Sequence, residues 1–190
     1  MHSQTTKWAE SCITKIWRKK MDARIESSLK RIKEAYLDEK RKKLIPEIRV
    51  IDICQKACVN KTTFYRHYRD IYDLADEVEI EVVREILGQM KYKDKLLTQP
   101  ELFARESYEI FQNHKDIVNL VFDHRIGVLI DKIEKEHVEY FSQKNYSSYE
   151  TLQIRFCIGG AAHIMTGNLS PEESEEVQDI LIQFMNKLCR

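Results

Sequence analysis

The sequence predicts an all-α protein in two parts, a small three-helix head and a longer helical body. Three observations carry this expectation. Five Gly and three Pro in 190 residues are too few to punctuate the turns of a sheet protein. Apolar residues recur at steps of three and four along most of the chain. Charge is unevenly spread: residues 1–71 hold 18 Lys+Arg and 9 Asp+Glu, while the rest hold 13 and 22, so the total of 31 against 31 conceals a basic head and an acidic body. Such a split suits a head that binds a polyanion and a body that avoids one. A chain of this length buries roughly 70% of its unfolded surface and needs neither disulfide nor metal to hold a core.

No apolar run is long enough to span a bilayer, and no secretory h-region is present. The cysteines are Cys12, Cys54, Cys58, Cys157 and Cys189. Their odd number, scattered spacing and lack of a CxxC read as reduced cytosolic thiols. The expected location is the cytoplasm, in association with the nucleoid.

The elements follow in order. Residues 1–21 form an uncertain extension. Trp8, Cys12 and Ile16 fall at near-helical spacing among basic residues, which reads as an amphipathic helix or a basic arm; equally, Met21 reads as the true start of translation. Residues 22–44 carry Ile25, Leu29, Ile32, Ala35 and Tyr36 on one helical face. The basic run from Lys40 to Lys43 suits that helix's C-terminus, and Pro46 blocks continuation. Val50, Ile53, Cys54 and Ala57 predict a two-turn helix over 49–57. Asn60 is a good N-cap for a second short helix from Lys61 to Tyr68 that buries Phe64 and Tyr68. Asp70 caps a longer third helix with Leu74, Val78, Val82 and Ile86 on its apolar face. Further helices are expected at 100–113, 115–124, 126–143, 147–168 and 171–188. Ser170-Pro171-Glu172-Glu173 supplies the N-cap, the Pro at N1 and the capping-box Glu of the last. Helix 147–168 is apolar on more than one side and is expected to be buried, with Gly159 and Gly160 admitting another backbone closely.

Two short helices joined by a three-residue turn are unstable alone and must pack on their neighbours. This is the plan of a helix-turn-helix. With Phe64 and Tyr68 inward, Lys61, Thr62, Thr63, Tyr65, Arg66 and His67 face outward, and Arg69 follows. Lys and Arg offer charge to phosphate, Thr and Tyr offer hydroxyls, and Arg reaches guanine bidentately. From Arg41 to Ile71 there are eight Lys+Arg and three Asp+Glu. The expected partner is therefore double-stranded DNA, with Arg49 and Asn60 added to the contacting set. A plain polar surface helix is the alternative reading of "NKTTFYRHY".

The stretch "RVIDICQKACVNKTTFYRHYRDIYDL" (49–74) resembles the DNA-binding domain of the tetracycline-repressor (TetR-like) family. The segment "FCIGGAAHIMTGNLSPEESEEVQDILIQF" resembles, more distantly, the regulatory domain of a Firmicute-type branch. The resemblance implies a helix-turn-helix domain over 22–72 and a helical ligand-binding and dimerisation domain over 73–190. It implies a repressor acting as a homodimer on an inverted-repeat operator and answering to an unknown small effector. Tyr65 and His67 would touch phosphate, while Lys61, Thr62 and Thr63 would approach bases or backbone. The last two helices would pair with a twin, through Phe156, Gly159, Gly160, His163, Ile180 and Phe184. Three positions depart from the family pattern. Cys58 stands where the turn Gly belongs, Arg49 where Thr or Ser caps the first short helix, and Ile71 where a phosphate-binding Lys is usual, with Arg69 as its stand-in. The alternative function they motivate is a TetR-like co-regulator or interaction protein that has lost DNA binding.

The remaining candidates are weaker. Cys54 and Cys58, at i and i+4, admit a redox switch, but core filling explains the first and replacement of Gly the second. The histidines show no metal-ligand spacing, so no metal or cofactor is expected, and no catalytic constellation marks an enzyme. Tyr92, Phe103, Tyr108, Phe111, Phe122 and Tyr140 are candidates for an effector cavity, against plain core packing.

Overall fold

The computed structural model describes residues 23–123, 125–141, 146–167 and 170–189; at a few positions within these ranges only the backbone is described. The extension 1–21 lies outside the described residues. Among the described residues there are eight α-helices, one 3-10 turn and no strand.

Helix α1 (Ala23–Lys40) buries Ile32, Ala35 and Tyr36 of the expected stripe and Leu37 besides; Leu29 is half-buried, and the Ile25 side chain lies outside the described residues. The helix stops before the proline: the Lys42 and Lys43 N–H groups donate to Glu39 O at 2.9 and 3.0 Å and close a turn. Pro46 instead sits inside a 3-10 turn, Ile45–Glu47, whose Glu47 carboxylate accepts from the Leu44 N–H at 2.9 Å. Two short helices follow, α2 (Val50–Lys56) and α3 (Lys61–His67), and both pack on α1 and on each other. Helix α4 (Ile71–Gln89) starts where Asp70 accepts from the Asp73 N–H at 2.9 Å. Leu74, Val78 and Val82 are buried along it, and Ile86 is half-buried.

Helix α5 (Pro100–Phe122) corrects the expectation of two helices divided at residue 114. His114-Lys115-Asp116 contains no breaker, and the apolar stripe runs through it: Phe111, Ile117, Val118 and Val121 are all buried. His114 is buried with them, its Nδ1 2.7 Å from Ile110 O, one turn back. A histidine that bonds its own helix this way does not interrupt it. The helix ends where Asp123 takes a left-handed conformation, φ 50°.

Helices α6 (Ile126–Phe141), α7 (Ser148–Thr166) and α8 (Pro171–Leu188) form the remainder, with α7 packed on both α6 and α8. Full capping boxes open α7 at Ser147/Glu150 and α8 at Ser170/Glu173. The expectation of a fully buried α7 is corrected. Ile154, Cys157, Ile158, Ala161, Ala162 and Met165 are buried, whereas Tyr149, Leu152 and Phe156 stand exposed on another side.

The chain divides into two compact units. One runs to Val82 and takes in Asp116–Val121; the other comprises Val83–Lys115 and Phe122–Arg190. No helix of the described residues is long and apolar enough to cross a membrane.

Candidate nucleic-acid interface

The turn between α2 and α3 is built from backbone hydrogen bonds. Val59 N–H donates to Cys54 O at 3.0 Å, and Cys58 N–H donates to Gln55 O at 3.2 Å. This six-to-one and five-to-two pair is a Schellman motif, which places one residue in the left-handed region. That residue is Cys58, at φ 52°. The geometry is the one a glycine serves, held here by a side chain that disfavours it by about 1–2 kcal/mol.

Asn60 then starts α3. Its Oδ1 accepts from the Thr63 N–H at 2.7 Å and from the Thr63 hydroxyl at 2.9 Å. Phe64 and Tyr68 turn inward and are buried, with ring centroids 5.6 Å apart. The Tyr68 hydroxyl donates to Glu77 Oε1 at 3.3 Å. Burial, and then the Glu77 and Glu81 charges, push its phenol well above the ordinary range. The same two carboxylates hold buried Lys33, whose Nζ bonds Glu77 and lies 2.5 Å from Glu81 Oε1. Helices α1, α3 and α4 thus share one polar cluster beneath α3.

The opposite side of α3 faces out. Lys61, Thr62, Tyr65 and Arg66 are exposed, Tyr65 at 55%, while Thr63 and His67 are half-buried. Asn60, Arg49 and Arg69 are exposed as well. All nine residues singled out as DNA-contacting therefore reach the surface, but not all their polar groups are uncommitted. The Asn60 oxygen and the Thr63 hydroxyl serve the cap. Arg49 is paired with Asp52 through Nε and Nη2, at 3.1 and 2.9 Å. Arg69 is paired with Asp73 at 3.1 Å. Hydrogen bonding to these arginines is the main cause holding the Asp52 and Asp73 carboxyls below the usual carboxylate range. Among the described residues, Lys61 and Arg66 have no carboxylate partner. Behind them, Lys43 bridges Glu39 at 2.7 Å and Asp52 at 3.4 Å, and Lys56 lies 3.1 Å from Asp38.

A count of charges along the sequence takes no account of their partners. The signal was nonetheless present, since Arg49/Asp52 and Arg69/Asp73 stand at the i,i+3 and i,i+4 spacings that pair on a helix. The Lys33–Glu77–Glu81–Tyr68 cluster was missed for another reason: its members come from three helices, and no local spacing joins them.

The other proposed sites fare unevenly. Phe103, Phe111 and Phe122 are buried and Tyr108 is half-buried. Tyr92 stands on the surface in the α4–α5 connection, where its backbone N–H and that of Lys91 donate to the Glu106 carboxylate at 2.7 and 2.9 Å. The Tyr140 side chain lies outside the described residues. Of the dimerisation set, Phe156, Gly160, His163, Ile180 and Phe184 are exposed and Gly159 is half-buried. Tyr149 and Leu152, not singled out from sequence, extend the same α7 side, and the five large apolar side chains of α7 and α8 are 49–71% exposed. A Cβ added at Gly160 would meet nothing within 4 Å.

No protein-family model matches the chain, and no curated protein matches it.

Proposed function

We propose that the chain is a DNA-binding transcriptional regulator of the TetR-like kind, a repressor that acts as a homodimer and answers to a small effector. One observation carries the reading. The side of α3 that bears Lys61, Thr62, Tyr65 and Arg66 is exposed, free of acidic side chains, and anchored from behind by buried Phe64 and Tyr68. A rigid short helix with outward cations and hydroxyls is what the major groove accepts. Phosphate contacts would come from Lys61, Arg66, Tyr65 and His67 and would fix the register on the duplex.

A second copy of the chain would cover the apolar side shared by α7 and α8. Isolated surface apolar residues need no explanation, but five large ones on two adjoining helices do. A two-helix face meeting its own image gives a four-helix interface, and a two-fold pair of α3 helices would match an inverted repeat.

The test is binding to duplex DNA as a function of salt. The reading expects affinity to fall steeply with salt, and Tyr65→Ala and His67→Ala to weaken binding by about 1–3 kcal/mol each. A double variant that binds as the parent does removes α3 from the interface. The arginine–aspartate pairs favour a second reading, a co-regulator of the same fold without DNA contact. It expects no binding to random genomic DNA even at low salt.

A further inference from the structure

The end of α8 is fastened to the middle of α7. Gln153 Nε2 donates to the Leu188 carbonyl at 2.6 Å, satisfying an acceptor that the end of a helix leaves open. Cys157 stands one turn beyond Gln153 on the same side of α7. Cys189 follows Leu188 as the C-cap, its N–H bonded to Met185 O at 3.0 Å. The Gln153–Leu188 bond thus brings the Cys157 turn of α7 beside Cys189, and each thiol feels the other. Cys157 is buried and Cys189 half-buried.

We propose that Cys157 and Cys189 are a redox-active pair that closes an intrachain disulfide, stapling the C-terminal end of α8 to α7, with Cys189 as the thiol an oxidant reaches first. Cys189 lies past the last helical residue, held there by its N–H bond to Met185 O, while Cys157 is fixed within its helix. Burial raises both thiols, Cys157 to about 12, and the hydrogen bond between them raises Cys157 but lowers Cys189. Cys189 is the more accessible of the two, so an oxidant meets it first. The reaction runs as two exchanges with a low-molecular-weight disulfide. The Cys189 thiolate attacks one sulfur of the reagent, forming a mixed disulfide and releasing one thiol. Cys157, deprotonated as it attacks, then displaces the second thiol from Cys189. Two S–H bonds are lost from the protein, one S–S bond forms there and one breaks in the reagent, and two electrons and two protons leave with the two thiols released. Of the other described cysteines, Cys54 is buried and Cys58 exposed.

The experiment treats the full chain with oxidised glutathione at mildly alkaline pH, quenches it with an alkylating reagent in denaturant, and reads intact mass and non-reducing peptide maps. The expected product shows one cross-linked peptide pair joining Cys157 to Cys189, about 2 Da lighter than the two free peptides together and with no glutathione on either cysteine. Cys189→Ser should abolish it, and Cys54→Ser with Cys58→Ser should leave it unchanged. Glutathione retained on Cys189 while Cys157 alkylates freely would overturn the proposal, as would a cross-link mapping to Cys54 and Cys58 or no oxidation at all. The outcome does not depend on whether the chain binds DNA.

Discussion

Arg69 and Asp73 form a two-point clamp at the start of α4: the Arg69 guanidinium donates to Asp73 Oδ1 at 3.1 Å, and the Arg69 backbone N–H donates to Oδ2 at 2.9 Å. The clamp fixes the chain where α3 gives way to α4 and neutralises a cation beside the proposed DNA face. Asp73→Asn keeps the acceptor oxygen and removes the charge. If Arg69 then turns to phosphate, the slope of log affinity against log salt should steepen by about one. Fluorescence anisotropy of one duplex at several salt concentrations measures this. An unchanged slope takes Arg69 out of the contacting set.

Cys58 offers a cleaner stability test. Its φ of 52° costs a side chain but not a glycine. Cys58→Gly should relieve strain of about 1–2 kcal/mol, less the extra freedom glycine brings to the unfolded chain, for a net gain of up to about 1 kcal/mol. Cys58→Ala should give no such gain, because it keeps the Cβ. Urea midpoints of the three proteins separate conformational strain from any effect of the thiol.

His137 sets the upper edge of the acid response. It is buried, its Nδ1 lies 3.1 Å from Ile133 O, and burial holds its pKa below the ordinary 6.5. Above that value both folded and unfolded chains carry it neutral. As pH falls below 6.5, the unfolded chain takes up the proton first and the fold loses stability. Glu39, Asp52 and Asp73 are also depressed, chiefly by hydrogen-bonded cations. Their contribution is present above the unfolded carboxylate range, near pH 4, and fades only as pH drops through the lower folded values. The expectation is a melting temperature that declines in two stages. His137→Gln should flatten the first, which sets in as pH falls below about 6.5, and leave the second.

The exposed pair Phe156 and Phe184 tests self-association. Both are more than half exposed in the single chain, so polar substitution should leave the helical content intact. Phe156→Arg with Phe184→Arg should weaken a dimer by about 2 kcal/mol or more per position if they lie at its centre. Sedimentation equilibrium would show a dimer becoming a monomer. An unchanged mass assigns the face to something other than a second copy.

What could be read from sequence depended on the range of the interaction. The caps at Asn60, Asp70 and Ser170 were legible because a cap and its N–H lie three residues apart. So was the inward turn of Phe64 and Tyr68, which one helical period sets. The α5 break was misread because the change of polarity at His114 resembles a boundary when the ring's bond to Ile110 O is unseen. The depth of α7 was misjudged because composition counts apolar residues without saying which of them α6 and α8 cover. Lys33, charged and buried, could not be placed at all until α4 brought Glu77 and Glu81 to it.

Gly159 and Gly160 have one more consequence. They occupy the centre of α7, yet in the single chain a Cβ would meet only Ile130 Cγ2 at 4.0 Å from the first and nothing from the second. Each weakens the helix by about 0.5–1 kcal/mol relative to alanine, with no close packing in return. The middle of α7 therefore rests on the packing of Ile154, Cys157, Ile158, Ala161 and Ala162 rather than on its own propensity, and a backbone settling against Gly160 would find no side chain in its way.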